Sequence, residues 1–192
     1  MIYPDDRRDF LLSSYDFCVM GNTMPNGSQR KDDSMSIMKR KRELIAPADG
    51  LAVPLDTLPD PAFAQGMLGD GVALDPTDGQ FVSPCNGTVV GVADALHAYN
   101  LLTDDGLELL LHIGIDTVEL KGEGFFPKVK EGDRVQTGDL LVRVDLALIR
   151  ERGYSTLTPL IVTNPELLSS LARERGSVRG GTDRILRYEM RK

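Results

Sequence analysis

His97 and His112 are the only histidines in the 192-residue chain. Any imidazole chemistry must use one or both. The segment from His97 to Asp116 reads as a β-hairpin, with Asp105-Gly106 between two apolar runs as a two-residue turn. That turn pairs Tyr99 with His112 and His97 with Gly114, so both rings point to one face as diagonal neighbours. Gly114, lacking a side chain, leaves the gap between them open. A three-residue turn would reverse the parity and separate the rings. Alternation places Leu107, Leu109, Leu111, Ile113 and Ile115 on a core face, and Glu108, Leu110, His112, Gly114 and Asp116 on the other. One histidine on a strand is most often a surface or satisfied residue. Two of two converging beside an acid ask for a chemical explanation.

Two chemistries fit. His97, His112 and Asp116 could ligate zinc, as in a zinc-dependent enzyme. The zinc endopeptidases of the lysostaphin type, on a related duplicated fold, need more histidines than this chain has. The other chemistry is covalent. A neutral imidazole is a nucleophile, and it can take a phosphoryl group through one nitrogen while the other is held as a donor. The second ring can then donate a hydrogen bond to the phosphoryl oxygens. No Gly-x-x-x-x-Gly-Lys phosphate loop is present, so a nucleotide-dependent kinase is disfavoured.

The elements that must carry these rings are mostly strands. From Ile45 onward, short apolar stretches alternate with Gly, Pro and Asp, the texture of many short antiparallel strands. Ile45-Ala46-Pro47-Ala48-Asp49-Gly50 recurs in kind as Val82-Ser83-Pro84-Cys85-Asn86-Gly87. Gly132-Asp133-Arg134-Val135 and Gly138-Asp139-Leu140-Leu141 resemble the turn-and-strand phrases of biotinyl/lipoyl-type half-barrels. Duplicated halves of this kind predict an all-β barrel-sandwich hybrid with one or two short peripheral helices. One helix is expected from Leu146 to Arg152, capped by Asp145 and stopped by Gly153. Another is expected from Asn164-Pro165-Glu166 to about Arg175.

Composition narrows the partners. Twenty-two Lys and Arg against 29 Asp and Glu give a net charge of −7, which disfavours a nucleic-acid backbone. No apolar run reaches the length of a membrane span, so no stable membrane insertion is expected. Cys18 and Cys85 are too few for a disulfide framework and fit a reducing cytoplasm. Cys85, in a Pro-Cys-Asn-Gly turn, reads as a bystander. Residues 1–43, ending in Lys39-Arg40-Lys41-Arg42, lack a clean period and read as a disordered or extended tail, with residues 44–192 as the functional domain.

The run Gly106-Leu107-Glu108-Leu109-Leu110-Leu111-His112-Ile113-Gly114-Ile115-Asp116-Thr117-Val118, continuing Glu119-Leu120-Lys121-Gly122-Glu123-Gly124-Phe125, closely resembles the signature of the glucose-type enzyme IIA domain. That domain belongs to the phosphoenolpyruvate-dependent sugar phosphotransferase system. Pro59-Asp60-Pro61-Ala62-Phe63, Gly69-Asp70-Gly71, Leu96-His97-Ala98, Ser155-Thr156-Leu157-Thr158-Pro159 and Thr163-Asn164 support the match, which runs from Ile45 to about Glu189. The resemblance implies a cytoplasmic phosphocarrier. His112 matches the histidine that accepts the phosphoryl group from the carrier HPr through Nε2 and passes it to a cysteine of a IIB domain. His97 matches the second histidine, which binds the phosphoryl group and supports onward transfer. Asp60 and Asp116 match acids that flank the site and tune it or bind partners, and Phe63 an exposed apolar residue on the docking rim. Where the family often carries Thr two residues before the second histidine, this chain has Ala95. The resemblance implies no required cofactor, the alternative being a zinc ion held between His97, His112 and a partner's carboxylate. The permease would be a separate chain. A regulatory module switched by its phosphorylation state is the alternative function.

Overall fold

A computed structural model describes residues 42–192 of the chain. The segment read as a tail lies outside the described residues except for Arg42 and Glu43, which open the first strand. The strands are β1 (Arg42–Ile45), β2 (Gly50–Val53), β3 (Asp70–Pro76), β4 (Gln80–Val82), β5 (Gly87–Val92), β6 (Ala98–Thr103) and β7 (Glu108–His112). They continue as β8 (Phe125–Pro127), β9 (Arg134–Val135), β10 (Leu140–Val144), β11 (Thr158–Val162), β12 (Leu168–Arg173), β13 (Gly176–Val178) and β14 (Arg184–Met190). Only two short α-helices interrupt them among the described residues, α1 (Pro61–Ala64) and α2 (Leu146–Glu151). The pairing is antiparallel throughout, in one eight-stranded sheet ordered β13-β2-β3-β11-β7-β6-β5-β9 and two three-stranded sheets, β1-β14-β12 and β4-β10-β8. This is the expected all-β sandwich. No described helix is long and apolar enough to cross a membrane.

The duplicated turns face one another. Ile45 N–H donates to the Pro84 carbonyl at 2.9 Å, and Val82 N–H donates to the Pro47 carbonyl at 2.7 Å. Each repeat also binds a glycine-rich turn in the same way: Gly181 N–H to Ala46 O at 2.9 Å, Gly138 N–H to Ser83 O at 2.9 Å. The side chains repeat the pattern, with Asp49 accepting from Gly180 N–H at 2.7 Å and Asn86 from Thr137 N–H at 2.9 Å. A weak sequence repeat thus becomes two interlocked halves whose turns satisfy each other's backbone groups.

The large sheet is buried on both sides at its centre. Every residue of β11 is buried. Leu160 and Val162 enter the main core with Leu109, Leu111 and Tyr99. Ile161 enters a second, smaller cluster with Leu58, Phe63, Ala73 and Ile115. That second cluster is the floor beneath the histidines.

Two helix expectations part company. α2 forms as expected, with the Asp145 carboxylate accepting from Leu148 N–H at 3.0 Å and Gly153 in the left-handed region at φ 83°. The helix expected after Asn164 is instead a single 3-10 turn, Pro165–Leu167, followed by β12. The Asn164 side chain does not cap this turn. It reaches the β6–β7 hairpin, accepting from Glu108 N–H at 3.0 Å and donating to Gly106 O at 3.1 Å. With its cap drawn away, and Ser169 and Ser170 poor helix formers, the segment pairs with β14. Local propensity loses to the sheet.

Candidate functional site

The register of the hairpin differs from expectation. Ala98 faces His112 and Tyr99 faces Leu111. The turn holds three residues, Asp104-Asp105-Gly106, closed by Thr103 N–H to Leu107 O at 2.9 Å, with Gly106 at φ 90°. The extra residue is pinned by its carboxylate. Asp105 accepts from Thr103 Oγ1 and, at 3.0 Å, from Tyr188 Oη, and it pairs with Arg42 Nε at 2.9 Å. A three-residue loop ending in a left-handed glycine is the next most favoured hairpin connection after the two-residue one.

By parity this register should separate the rings, yet it does not. The His97 and His112 ring centroids lie 4.8 Å apart, at an interplanar angle of 81°. His97 precedes β6 and sits in a bend directly after Leu96, whose φ of 59° is left-handed. The bend releases the imidazole from the strand's alternation. The rings converge as expected, but through a backbone turn rather than through hairpin register.

His112 ends β7. Its Nδ1 lies 2.8 Å from the Gly114 carbonyl, which makes Nδ1–H the donor and leaves the Nε2 lone pair free. Gly114 adopts φ 75°, and a Cβ there would lie 2.4 Å from Thr117 Cγ2 and 2.7 Å from Ser155 O. Only glycine fits. Buried hydroxyls brace this turn: Thr117 Oγ1 donates to Ile113 O at 2.6 Å, and Thr158 Oγ1 accepts from Gly114 N–H at 3.4 Å. Neither threonine was assigned a role from sequence. Their burial, invisible in one chain's sequence, is what makes them structural. Gly114 also ends the alternation. Leu107, Leu109, Leu111 and Ile113 face the main core, whereas Ile115 turns into the smaller cluster.

Phe63 corrects its expectation. It is 4% exposed, and its ring stacks obliquely on His112 at 5.1 Å. It is a floor for the imidazole, not a rim residue. Exposed apolar side chains in the segments next to Phe63 and Asp116 include Met67 and Leu68, following α1, and Val118, in the 3-10 turn after Asp116. Asp60 caps α1, accepting from Ala62 N–H at 2.7 Å, and so fixes the helix that carries Phe63. Asp116 is exposed and left-handed, at φ 61°. Both acids touch the site through charge rather than through a hydrogen bond to the histidines.

Burial pushes the His112 pKa below its ordinary value. The Gly114 carbonyl and the Asp60 and Asp116 charges oppose this without overcoming it. His97, 8% exposed, is lowered by burial and then by His112 itself, with the Ala95 carbonyl acting weakly the other way. His97 Nδ1 is buried with no hydrogen bond of good geometry. Two neutral imidazoles, one with a fixed tautomer, therefore stand edge to face. The Cys85 thiol is buried and raised to about 12, as suits a bystander. Among the described residues no group of three or more His, Cys, Asp or Glu could hold a metal ion.

Residues 42–167 match the family model described as the phosphoenolpyruvate-dependent sugar phosphotransferase system, EIIA 1. A glucose-specific EIIA component of this system from Halalkalibacterium halodurans is 44% identical over 148 residues, covering 77% of this chain and 86% of that protein. A glucose-specific EIICBA component from Streptococcus pneumoniae is 39% identical over 175 residues, 91% of this chain but 24% of that protein. Among solved structures, glucose permease IIA from Mycoplasma capricolum is similar with a TM-score of 0.73 and 36% identity, covering 77% of this chain and 96% of that one.

Proposed function

This chain belongs to the EIIA 1 family of the phosphoenolpyruvate-dependent sugar phosphotransferase system, and we propose that within that system His112 carries a phosphoryl group from phospho-HPr to a cysteine of a IIB domain. The supporting observation is the 2.8 Å contact of His112 Nδ1 with the Gly114 carbonyl. It leaves Nε2 as the nucleophile, and the ring needs no base because it is already neutral.

In the first transfer Nε2 attacks phosphorus as the P–N bond to the HPr imidazole breaks, and the HPr ring leaves neutral. The phosphorylated His112 ring gains positive character, and Nδ1–H shares it with the Gly114 carbonyl. His97, 4.8 Å away between centroids, donates a hydrogen bond to the phosphoryl oxygens as charge develops. In the second transfer a thiolate of IIB forms the S–P bond and His112 returns to its neutral state. Rate comes from alignment and from oriented donors, and the reading requires no metal. Asp60 and Asp116 hold the local charge near His112. Met67, Leu68 and Val118 offer the apolar contact for both protein partners in place of Phe63. The chain acts in the cytoplasm, at the inner face of the membrane permease that takes up the sugar.

Incubation with phosphoenolpyruvate, enzyme I and HPr should place an acid-labile, base-stable phosphate on His112, and His112→Ala should take up none. Label on the His112→Ala protein would overturn the assignment. His97→Gln should still be phosphorylated but should lose most transfer to IIB; transfer at the native rate would remove His97 from the mechanism.

A further inference from the structure

The hairpin register sets His97 opposite Ile113, whose N–H donates to the His97 carbonyl at 2.7 Å. Opposed residues share a face, and Ile113 is fully buried in the main core. An extended His97 would point there too. Its ring lies instead against His112. The residue immediately before it is one of three non-glycine residues with positive φ among those described. The other two, Asp116 and Lys121, flank the 3-10 turn. Leucine has no side-chain hydrogen bond to favour the left-handed region and enters it rarely. Two contacts hold it there. Leu96 N–H donates to Ala93 O at 2.7 Å in a turn closed by Ala93 N–H to Ala98 O at 2.9 Å. The Leu96 side chain packs against the main core, with Cδ1 3.4 Å from where a Cβ on Gly122 would sit.

We propose that Leu96 is a positioning residue: its left-handed backbone, held by its side chain's seat in the core beside Gly122, turns the His97 imidazole out of the β6 alternation and onto His112. The ring placement is independent of the phosphocarrier reading; the consequence for transfer rests on it. Gly122, within the Leu120-Lys121-Gly122-Glu123-Gly124 phrase, is itself left-handed at φ 88° and brings the chain alongside the leucine.

The test compares Leu96→Ala, which loses the anchor and keeps the left-handed penalty, with Leu96→Asn, which loses the anchor but tolerates the left-handed region. Two readouts are taken on the full chain: the His97 titration by NMR, and rates of phosphoryl uptake from HPr and of transfer to IIB. Leu96→Ala should release His97, moving its titration back toward the ordinary value. It should slow transfer to IIB about tenfold while uptake on His112 holds. Leu96→Asn should stay near native in both. An unmoved titration and unchanged transfer in Leu96→Ala would overturn the proposal, as would an equal loss in both variants. Should Leu96→Ala fail to fold, Leu96→Val, which shortens the anchor and raises the left-handed penalty, replaces it, and a native titration there would be equally fatal. If the native protein takes up no phosphate, the carrier reading fails while the titration still decides the positioning.

Discussion

At the scale of single residues, the site is a study in keeping imidazoles neutral. Burial is the largest influence on both rings, and it lowers both below the ordinary 6.5. The linkage to stability follows in sign. Between the depressed folded values and the ordinary value, the unfolded chain binds more protons, so stability rises with pH there. It is fully present above 6.5 and is lost as pH falls through the folded values. The urea midpoint of the native protein should therefore drop between neutral and mildly acidic pH. The double variant His97→Gln, His112→Gln should drop less, because the carboxylates titrate alike in both. Equal drops would mean the rings are not held neutral by the fold. The carboxylates of Asp60 and Asp116 limit the depression of His112, as the proposed phosphoryl transfer, which gives that ring positive character, would require.

At the scale of elements, the turn from His112 to Thr117 decides the geometry. It must end a strand, present a carbonyl to Nδ1, and send Ile115 into the smaller cluster. Gly114 permits all three. Gly114→Ala would drive a methyl to 2.4 Å from Thr117 Cγ2 in a left-handed conformation. This should destabilise the protein by about 2 kcal/mol or more, as read from the denaturant midpoint. It should also slow phosphoryl uptake, because the carbonyl that fixes the His112 tautomer moves with the turn. An unchanged midpoint would show the turn to be softer than its contacts. The short helix α1 plays the complementary part from the other side: the Asp60 cap and Pro61 start it, and one turn later Phe63 lies against His112.

At the scale of the whole molecule, the two repeats exchange backbone hydrogen bonds, Ile45 with Pro84 and Val82 with Pro47. Neither half can satisfy its turns alone. The main core also runs from Leu44 to Tyr188 without a gap between halves. Unfolding of this domain should thus be one cooperative event. Far-UV circular dichroism and the near-UV tyrosine signal should trace a single coincident transition in denaturant. Two separated transitions, with one half surviving the other, would contradict the interlock.

The sequence by itself determined the fold class, the strand texture, the α2 cap and stop, and the pair of histidines on which the site is built. These are local matters: alternation, Gly and Pro punctuation, and residue type are set by neighbours in the chain. Tertiary structure decided the rest. The hairpin gained a third turn residue because Asp105 finds Arg42 and Tyr188 from distant strands. The helix expected after Asn164 gave way because that side chain serves the hairpin and β14 offers a ladder. Phe63 went under the imidazole because a second apolar cluster exists on the outer face of the sheet. Even the meeting of the two rings, correctly anticipated, is made by the left-handed backbone of Leu96. A bulky residue is held in such a conformation by a tight turn together with packing against the core, and the residue types of the turn do not announce it.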